Sequence, residues 1–352
     1  MTFSNPESNS AFTWIHPQAK IHPSAQLDPF CVVHADVEIG EGSKIGSHVV
    51  LYDGVRIGKD CRILPGTVIS SDARQLEFWR GDSPSGGLSP NVLIGDHVQI
   101  GAGCALHGGI VIGDHSWIAS NCTIHDGARI GQNCRIFPGA VISAIPQDLK
   151  FKGEKTTLEI GDYTVVRECA TLNRGTDYRS KTVVGDRCLI MAYAHVAHDC
   201  VLGNQVILAN AVNMAGHVEV GDFAIIGGMS AIHQFVKIGR HCMISGGSMV
   251  GKDVPPYVKA GRQPLQYEGI NSVGMRRRGF DSQVIHNIQD IYRCIFLSGM
   301  NTSRALDYAE AHLSPTEERD EIISFIRNAT RGIIRSHLNG KDASEAELDS
   351  DH

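Results

Sequence analysis

The chain has 352 residues, of which 42% are hydrophobic and 20% charged, a composition typical of a folded protein. Its formal net charge of −6 argues against nucleic-acid binding, because phosphate contacts need a basic surface. The polar N-terminus has neither the basic nor the apolar region of a signal peptide, and no long apolar run occurs, so we expect a cytoplasmic protein without a transmembrane segment.

The dominant feature of the sequence is an aliphatic residue that recurs every six positions, often followed by glycine, as at Gly40. A period of six fits neither an α-helix nor a flat strand, but three hexads can close one triangular coil with a short strand on each side. The pattern therefore predicts a mainly β fold, a left-handed parallel β-helix of about 11 coils. The phase is kept in four runs, at residues 15–69, 94–142, 160–172 and 184–250.

Most cysteines share one place in this pattern, two residues before an aliphatic position. These are Cys31, Cys61, Cys104, Cys122, Cys134, Cys188, Cys200 and Cys242. That place also faces inward, and a free cysteine behaves as a small buried hydrophobe, so we predict core packing for these thiols. We expect no disulfide framework and no structural zinc site, because no two cysteines have CxxC spacing.

Breaks in the hexad pattern outline the domain organisation. We expect a disordered segment at residues 1–12, a β-helix at 13–263, an α-helical C-terminal domain at 264–340 and a disordered acidic tail at 341–352. Long loops on a rigid solenoid usually carry function or subunit contacts. Three such excursions interrupt the predicted β-helix, at about 71–91, 144–158 and 173–182.

The C-terminal region shows helical spacing instead of hexads. Val284, Ile288 and Ile291 recur at helical intervals, and the segment Ser314–Glu317 is typical of a helix start. Because apolar residues continue the spacing towards the C-terminus, the sequence predicts helical structure over about 281–338.

One group of polar residues stands apart from the other histidines. His198, His217 and the His233–Gln234 pair follow one another at intervals close to the 18 residues of one coil, so they should occupy successive coils along one ridge. A neutral histidine can remove a proton from a sugar hydroxyl, and a backbone N–H at a glycine can stabilise the oxyanion of acyl transfer. Asp199 could orient His198. The alternative is a ladder of turn histidines without a catalytic role.

A metal site is the rival chemistry for these histidines. Prism-shaped carbonic anhydrases bind zinc through three histidines, two of which lie five residues apart. No histidine pair in this chain has that separation, so we predict no metal site.

Nine stretches, in order over nearly the whole chain, resemble the acyl-[acyl-carrier-protein]–UDP-N-acetylglucosamine O-acyltransferases, hexapeptide-repeat enzymes that begin lipid A biosynthesis. They are Gln147–Glu154, Ala194–Cys200, Ile207–Asn210, Ala215–His217, Asp222–Gly228, Ala231–Phe235, Asp253–Tyr257, Arg276–Phe280 and Ala329–Arg335.

The resemblance implies transfer of a (R)-3-hydroxyacyl chain to the 3-hydroxyl of UDP-N-acetylglucosamine. His198 would be the general base, paired with Asp199, and the Gly216 N–H would form the oxyanion hole. The residues implied in substrate binding are Asp148, Lys150, His195, His217, Gln234, Asn271 and Arg278.

The resemblance also implies partners. The family is a homotrimer with active sites between subunits, and its acyl donor is carried on the phosphopantetheine of acyl carrier protein, without a further cofactor. That carrier is acidic, which suits Arg276 and Arg277 as a docking patch. Gly246 lies where the family has its acyl-chain ruler, and a glycine there would leave room for a longer chain.

This chain departs from the family pattern in three places. Val273 stands where the family often has an acidic residue, and Pro264 stands near a common histidine. The first hexad segment also carries two or three additional coils. Two alternatives therefore stay open: acylation of a related 3-amino UDP-sugar, and a non-catalytic trimeric hexapeptide scaffold.

Overall fold

The computed structural model describes residues 12–70 and 91–336. They belong to two compact units, which we call unit 1 (residues 1–204) and unit 2 (residues 205–352). Among the helices of the described ranges, none has the length and apolar character needed to cross a bilayer. Three predicted segments lie almost wholly outside the described residues, those at 1–12, 71–91 and 341–352.

The described part of unit 1 is built from very short strands, nearly all of which end on an aliphatic position of the hexad. In chain order they are β1 (Trp14–Ile15), β2 (Lys20–Ile21), β3 (Gln26–Leu27), β4 (Val32–Val33), β5 (Val37–Ile39), β6 (Lys44–Ile45), β7 (Val50–Leu51), β8 (Val55–Ile57), β9 (Arg62–Ile63), β10 (Val68–Ile69), β11 (Val92–Ile94), β12 (Gln99–Ile100), β13 (Ala105–Leu106), β14 (Val111–Ile112), β15 (Trp117–Ile118), β16 (Thr123–Ile124), β17 (Ala128–Ile130), β18 (Arg135–Ile136), β19 (Val141–Ala144), β20 (Thr157–Ile160), β21 (Val165–Val166), β22 (Thr171–Asn173), β23 (Lys181–Val184), β24 (Leu189–Ile190), β25 (His195–Val196) and β26 (Val201–Leu202).

Every third strand of unit 1 pairs in parallel, so the strands form three sheets. One sheet runs β1–β4–β7 and onward to β25, the second runs β2–β5–β8 to β26, and the third runs β3–β6–β9 to β24. Trp14 pairs with Val32 and Ile15 with Val33, an offset of 18 residues or three hexads. This register confirms the predicted parallel β-helix.

The aliphatic positions and the cysteines fill the interior of unit 1. Ile39, Ile45 and Leu51 are at most 1% exposed, and all seven predicted core cysteines of this unit are buried, as is Cys242 in unit 2. The Cys61 thiol donates a hydrogen bond of 3.1 Å to the carbonyl oxygen of Gly95. Burial raises the pKa of Cys61 to about 11, which keeps it a protonated thiol at neutral pH. The prediction that these cysteines pack in the core is confirmed.

Within its described residues, unit 1 has two connections that leave the strands, at residues 145–156 and 174–180. They lie side by side: the backbone N–H of Arg174 donates to the carbonyl oxygen of Ala144 at 3.0 Å, and the side-chain amide of Asn173 donates to the carbonyl oxygen of Ile145 at 2.5 Å. The first backbone groups of each connection thus find partners at the end of the strand that leads into the other connection.

Unit 2 contains further hexad strands followed by a region of helices and longer strands. Its described strands are β27 (Ile207–Leu208), β28 (Asn213–Met214), β29 (Glu219–Val220), β30 (Ile225–Ile226), β31 (Ala231–Ile232), β32 (Lys237–Ile238), β33 (Met243–Ile244), β34 (Met249–Val250), β35 (Val258–Gly261), β36 (Gln266–Ile270) and β37 (Arg335–Ser336), and its described helices are α1 (Ser272–Arg277), α2 (Ser282–Leu297), α3 (Thr302–His312) and α4 (Glu317–Arg327).

The helices of unit 2 begin where side chains cap them. The Thr316 hydroxyl accepts a hydrogen bond of 3.1 Å from the backbone N–H of Arg319, so α4 begins where the sequence predicted a helix start. The predicted helical structure up to about residue 338 is wrong beyond Arg327. There β37 pairs in parallel with β36, and the N–H of Ile334 donates to the carbonyl oxygen of Asp253 at 3.0 Å. Short apolar runs do not distinguish a helix from a buried strand.

A hydrogen-bonded cluster joins α4 to the strands of unit 2. The Tyr257 hydroxyl donates to Glu321 Oε2 at 2.7 Å, and Arg240 Nε donates to the same oxygen at 2.8 Å. Tyr257 is fully buried, so its hydroxyl depends on this partner.

Candidate active site

His198 and Asp199 form a hydrogen-bonded pair in the turn that follows β25. His198 Nδ1 lies 2.8 Å from Asp199 Oδ2, the Asp199 side chain is fully buried, and the His198 side chain keeps 13% of its surface exposed. Because an ionised carboxylate only accepts hydrogen bonds, Nδ1 must be the donor. The pair therefore fixes the tautomer in which Nε2 carries the lone pair, which is the arrangement a general base needs.

The Asp199 carboxylate is held in its charged form. Burial alone would raise its pKa, but hydrogen bonds from His198 and Thr176 outweigh burial and lower the pKa of Asp199 to about 2. The carboxylate is thus ionised at neutral pH. It can stabilise the positive charge that develops on His198 when the ring takes up a proton.

Three residues that the sequence analysis missed surround Asp199. The hydroxyl and the backbone N–H of Thr176 donate to the carboxylate, as does the backbone N–H of Arg179. The Thr182 hydroxyl accepts from the backbone N–H of Asp199 at 2.8 Å. The hexad spacing pointed to His198 as a candidate residue. Thr176 and Arg179 lie outside the hexad repeat, so the same spacing could not identify them.

His195 lies on β25, three residues before His198. Its Nδ1 is 2.7 Å from the hydroxyl of Thr171 on the neighbouring strand β22. Burial, and then the proximity of His198, lowers the pKa of His195. The ring is therefore neutral near pH 7 and can donate or accept hydrogen bonds to a polar ligand.

Asp148 and Lys150 lie on the connection between β19 and β20. Asp148 Oδ1 accepts a hydrogen bond of 3.0 Å from the backbone N–H of Lys150, and the carbonyl oxygen of Asp148 accepts from the N–H of Phe151, so the segment forms a tight turn. Lys150 is exposed at this turn. The Arg174 guanidinium lies 5.7 Å from the centre of the Phe151 ring and supports the turn from the second connection.

Gly216, His217 and Gln234 belong to unit 2. Gly216 and His217 follow β28, and Gln234 follows β31 and is exposed. The His217 ring stacks on Phe235 with centroids 4.4 Å apart and an interplanar angle of 4°. The backbone N–H of Phe235 donates to the carbonyl oxygen of Gly216 at 3.3 Å. The predicted placement of His198 and His217 on one ridge stays a prediction.

Asn271 and Arg278 frame helix α1. Asn271 caps the helix by accepting from the backbone N–H of Gly274 at 3.1 Å, and its amide donates to the carbonyl oxygen of His241 at 2.8 Å. Both ends of this amide therefore serve the fold of unit 2. The Arg278 guanidinium lies 5.1 Å from the centre of the Phe223 ring.

The other candidate residues of unit 2 are Arg276, Arg277 and Gly246. Both arginines are exposed in the last turn of α1, where positive charge suits the helix C-terminus. Gly246 follows β33, and a Cβ atom added to it would lie 3.1 Å from the carbonyl oxygen of Gly228. A side chain at position 246 thus requires a small shift of its neighbour.

The structure brings together His195, His198 and Asp199 in unit 1, and it shows Lys150 exposed on a separate connection of that unit. Within unit 2, Gly216 and His217 are adjacent in the chain, whereas Asn271, Arg278 and the exposed arginines group around α1.

Family models match both parts of the chain. The model for domain 2 of UDP-N-acetylglucosamine O-acyltransferase matches residues 253–334. Two repeat models match the hexad region: the bacterial transferase hexapeptide at 18–53, 39–71, 109–144 and 181–216, and the hexapeptide repeat of succinyl-transferase at 91–126.

Individual relatives agree with these models. An acyl-[acyl-carrier-protein]–UDP-N-acetylglucosamine O-acyltransferase from Thiobacillus denitrificans is 46% identical over 257 residues, which cover 72% of this chain and 98% of the relative. The enzyme of the same name from Pseudomonas savastanoi pv. phaseolicola is 46% identical over 253 residues, covering 70% of this chain and 96% of the relative.

Solved structures extend the likeness to the fold. A UDP-N-acetylglucosamine acyltransferase from Bacteroides fragilis 9343 is 39% identical with a TM-score of 0.65, covering 91% of this chain and all of that one. The Arabidopsis enzyme is 29% identical with a TM-score of 0.63, at the same coverage. With relatives this similar over nearly their whole length, the chain belongs to the family of acyl-[acyl-carrier-protein]–UDP-N-acetylglucosamine O-acyltransferases.

Proposed function

We propose that this acyltransferase moves a (R)-3-hydroxyacyl chain from acyl carrier protein to the 3-hydroxyl of UDP-N-acetylglucosamine, the first step of lipid A biosynthesis, with His198 as the general base. The observation that carries the proposal is the hydrogen bond between His198 Nδ1 and the buried, ionised Asp199. A sugar hydroxyl is a weak nucleophile, and a base fixed in the correct tautomer is what its reaction requires.

The proposed reaction proceeds in two steps. His198 Nε2 takes the proton of the 3-hydroxyl while the sugar oxygen attacks the thioester carbonyl, and the resulting oxyanion is stabilised by the Gly216 N–H. The intermediate then collapses, the carbon–sulfur bond breaks, and His198 returns its proton to the departing phosphopantetheine thiolate. Asp199 keeps its charge throughout and balances the imidazolium. The phosphopantetheine belongs to the donor, and no further cofactor enters these steps.

The remaining candidate residues would bind the two substrates. Lys150 is an exposed cation suited to the diphosphate of the sugar nucleotide, and Arg278 is a second candidate for that role. Asp148, Asn271, His195, His217 and Gln234 would complete the substrate contacts. Arg276 and Arg277 would dock the acidic carrier protein. We further propose a cytoplasmic homotrimer, the assembly implied by the resemblance to the family.

The proposal is tested by measuring acyl transfer from (R)-3-hydroxyacyl carrier protein to UDP-N-acetylglucosamine in the presence of a chelator. His198→Ala should lose a factor of about 10²–10⁴ in rate. His286→Ala, which removes an exposed histidine of α2, is the matched control and should retain the wild-type rate. Full activity of His198→Ala would exclude the histidine base. If the wild type acylates only a 3-amino UDP-sugar, the acceptor is wrong, and failure with both acceptors would favour a scaffold.

A further inference from the structure

The connection at residues 174–180 supplies most of the hydrogen bonds that hold the Asp199 carboxylate. Oδ2 accepts from the Thr176 hydroxyl at 2.6 Å and from His198 Nδ1 at 2.8 Å. Oδ1 accepts from the backbone N–H groups of Thr176 at 3.0 Å and Arg179 at 3.2 Å. A carboxylate offers about four lone-pair sites, and these four hydrogen bonds engage both of its oxygens.

Thr176 is the central residue of this arrangement because it binds both carboxylate oxygens. It is only 5% exposed, and its carbonyl oxygen accepts from the N–H of Ser180 at 2.7 Å, which closes the connection into a turn. The preceding Gly175 is tightly packed, since a Cβ atom there would lie 2.4 Å from the backbone nitrogen of Lys181. The Thr176 hydroxyl is therefore held rigidly against Asp199.

We propose that Thr176 is a positioning residue for catalysis, which fixes the Asp199 carboxylate and through it the tautomer and orientation of the His198 ring. The inference rests on the proposed role of His198 as general base. Thr176 contacts no reacting atom in this scheme, and its contribution is the direction in which Asp199 presents Oδ2 to His198 Nδ1.

Loss of the hydroxyl has a defined consequence. Valine has nearly the shape of threonine but donates no hydrogen bond, so Oδ2 would lose its bond from the Thr176 hydroxyl, while the backbone N–H groups of Thr176 and Arg179 would still bind Oδ1. The position of Oδ2 would then be less tightly fixed, and a smaller fraction of His198 rings would point Nε2 at the acceptor hydroxyl. Substrate binding would be unchanged, because in this scheme Thr176 contacts Asp199 and not the substrates.

The test compares Thr176→Val and Thr176→Ser in the acyl-transfer assay, each alone and combined with His198→Ala. Thr176→Val should lower kcat about tenfold, the effect expected for one charge-assisted hydrogen bond, with KM for both substrates unchanged. Thr176→Ser keeps the donor and should restore most of kcat. In the His198→Ala background, Thr176→Val should have almost no further effect.

Thr164→Val is the matched control. It removes the hydroxyl of a second buried threonine of unit 1, which donates to the carbonyl oxygen of Gly185 at 2.8 Å. It should lower the thermal midpoint without a selective loss of kcat. If Thr176→Val does not fold, Thr176→Ala replaces it with the same readouts.

Each outcome decides the inference. An unchanged kcat in Thr176→Val, or the same fold-loss with and without His198, would overturn it and leave Thr176 as a purely structural residue. If His198→Ala alone keeps full activity, the proposed general base fails as well. If His198→Ala loses most of its kcat while Thr176→Val keeps the wild-type kcat, the general base stands and only the positioning role of Thr176 is excluded.

Discussion

The rings of His107 and His125 are neighbours within unit 1, with centroids 4.5 Å apart and planes tilted by 38°. The pKa of each ring is lowered to about 4, by burial for His107, and by burial together with the charges of His107 and Arg174 for His125. Because the folded-state pKa is below the unfolded value of 6.5, the unfolded chain binds protons on these rings before the folded chain does. The free energy of unfolding is therefore unaffected by the two rings above pH 6.5 and decreases as the pH falls towards 4. We expect a loss on the order of 3 kcal/mol for each ring.

Urea unfolding at pH 7, 6, 5 and 4 checks this expectation. His107→Gln removes one titrating ring, so its free energy of unfolding should fall less steeply with acidification than that of the wild type. Parallel curves for the two proteins would show that His107 does not control acid stability.

Asp199→Asn should reduce kcat by about 10² or more. The amide is nearly isosteric but carries no charge, and it can offer His198 a donor in place of an acceptor, which favours the wrong tautomer. KM for UDP-N-acetylglucosamine should change little. Steady-state kinetics near neutral pH measure both constants, and a variant with wild-type kcat would contradict the role of the Asp199 charge.

Lys150→Ala should raise KM for UDP-N-acetylglucosamine about tenfold and leave kcat nearly unchanged, because an exposed cation contributes to binding the diphosphate rather than to the proton transfer. Lys152→Ala removes a second exposed lysine from the same connection and is the matched control. Equal effects of the two substitutions would point to the overall charge of the connection rather than to a contact by Lys150.

The double substitution Arg276→Glu and Arg277→Glu should raise KM for the acyl carrier protein substrate at least about tenfold at low salt. The effect should shrink at high ionic strength, because these side chains are exposed and their field is screened. KM for the sugar nucleotide should stay constant. Arg304→Glu on α3 controls for charge reversal elsewhere, and an equal effect there would exclude a local docking patch.

Gly246→Met should shift the preferred donor towards shorter acyl chains, because the longer side chain, once Gly228 shifts slightly to admit its Cβ atom, would occupy volume at the proposed ruler position. Gly251→Met is the control, since a Cβ atom at Gly251 has no described neighbour within 4 Å. Competition between donors of different chain length measures the preference. A Gly246→Met variant that keeps the wild-type preference would exclude position 246 as the ruler.

The repeat made most of the fold predictable. The interior of a coil accepts only small or aliphatic side chains at fixed intervals, so residues such as Ile45 and Cys61 reveal their burial by spacing alone. The C-terminal region was less predictable. The apolar pair at Ile333 and Ile334 fits helical spacing, but backbone hydrogen bonds to Asp253 draw this segment into extended structure.

The candidate site was predictable only in part. The pair of His198 and Asp199 is adjacent in sequence and falls into the hexad frame, which drew attention to it. Thr176 lies 23 positions before Asp199, in a connection where the repeat is lost, and a single threonine has no sequence signature for such a contact. The ion pair between the buried Arg174 and the half-buried Asp126, 3.2 Å apart, was not predicted for the same reason.

The pairing register of unit 1 has a consequence for how such a chain can change in length. Val141 pairs with Thr171 and Thr171 with His195, offsets of 30 and 24 positions, yet the strands remain in the same phase as at Trp14 and Val32. Additional residues have been accommodated at the corners, whereas a single insertion within a strand would turn interior side chains outward. The solenoid can therefore lengthen by whole coils, or by loops at the corners, without a change in strand register. The geometry around His198 then stays the same.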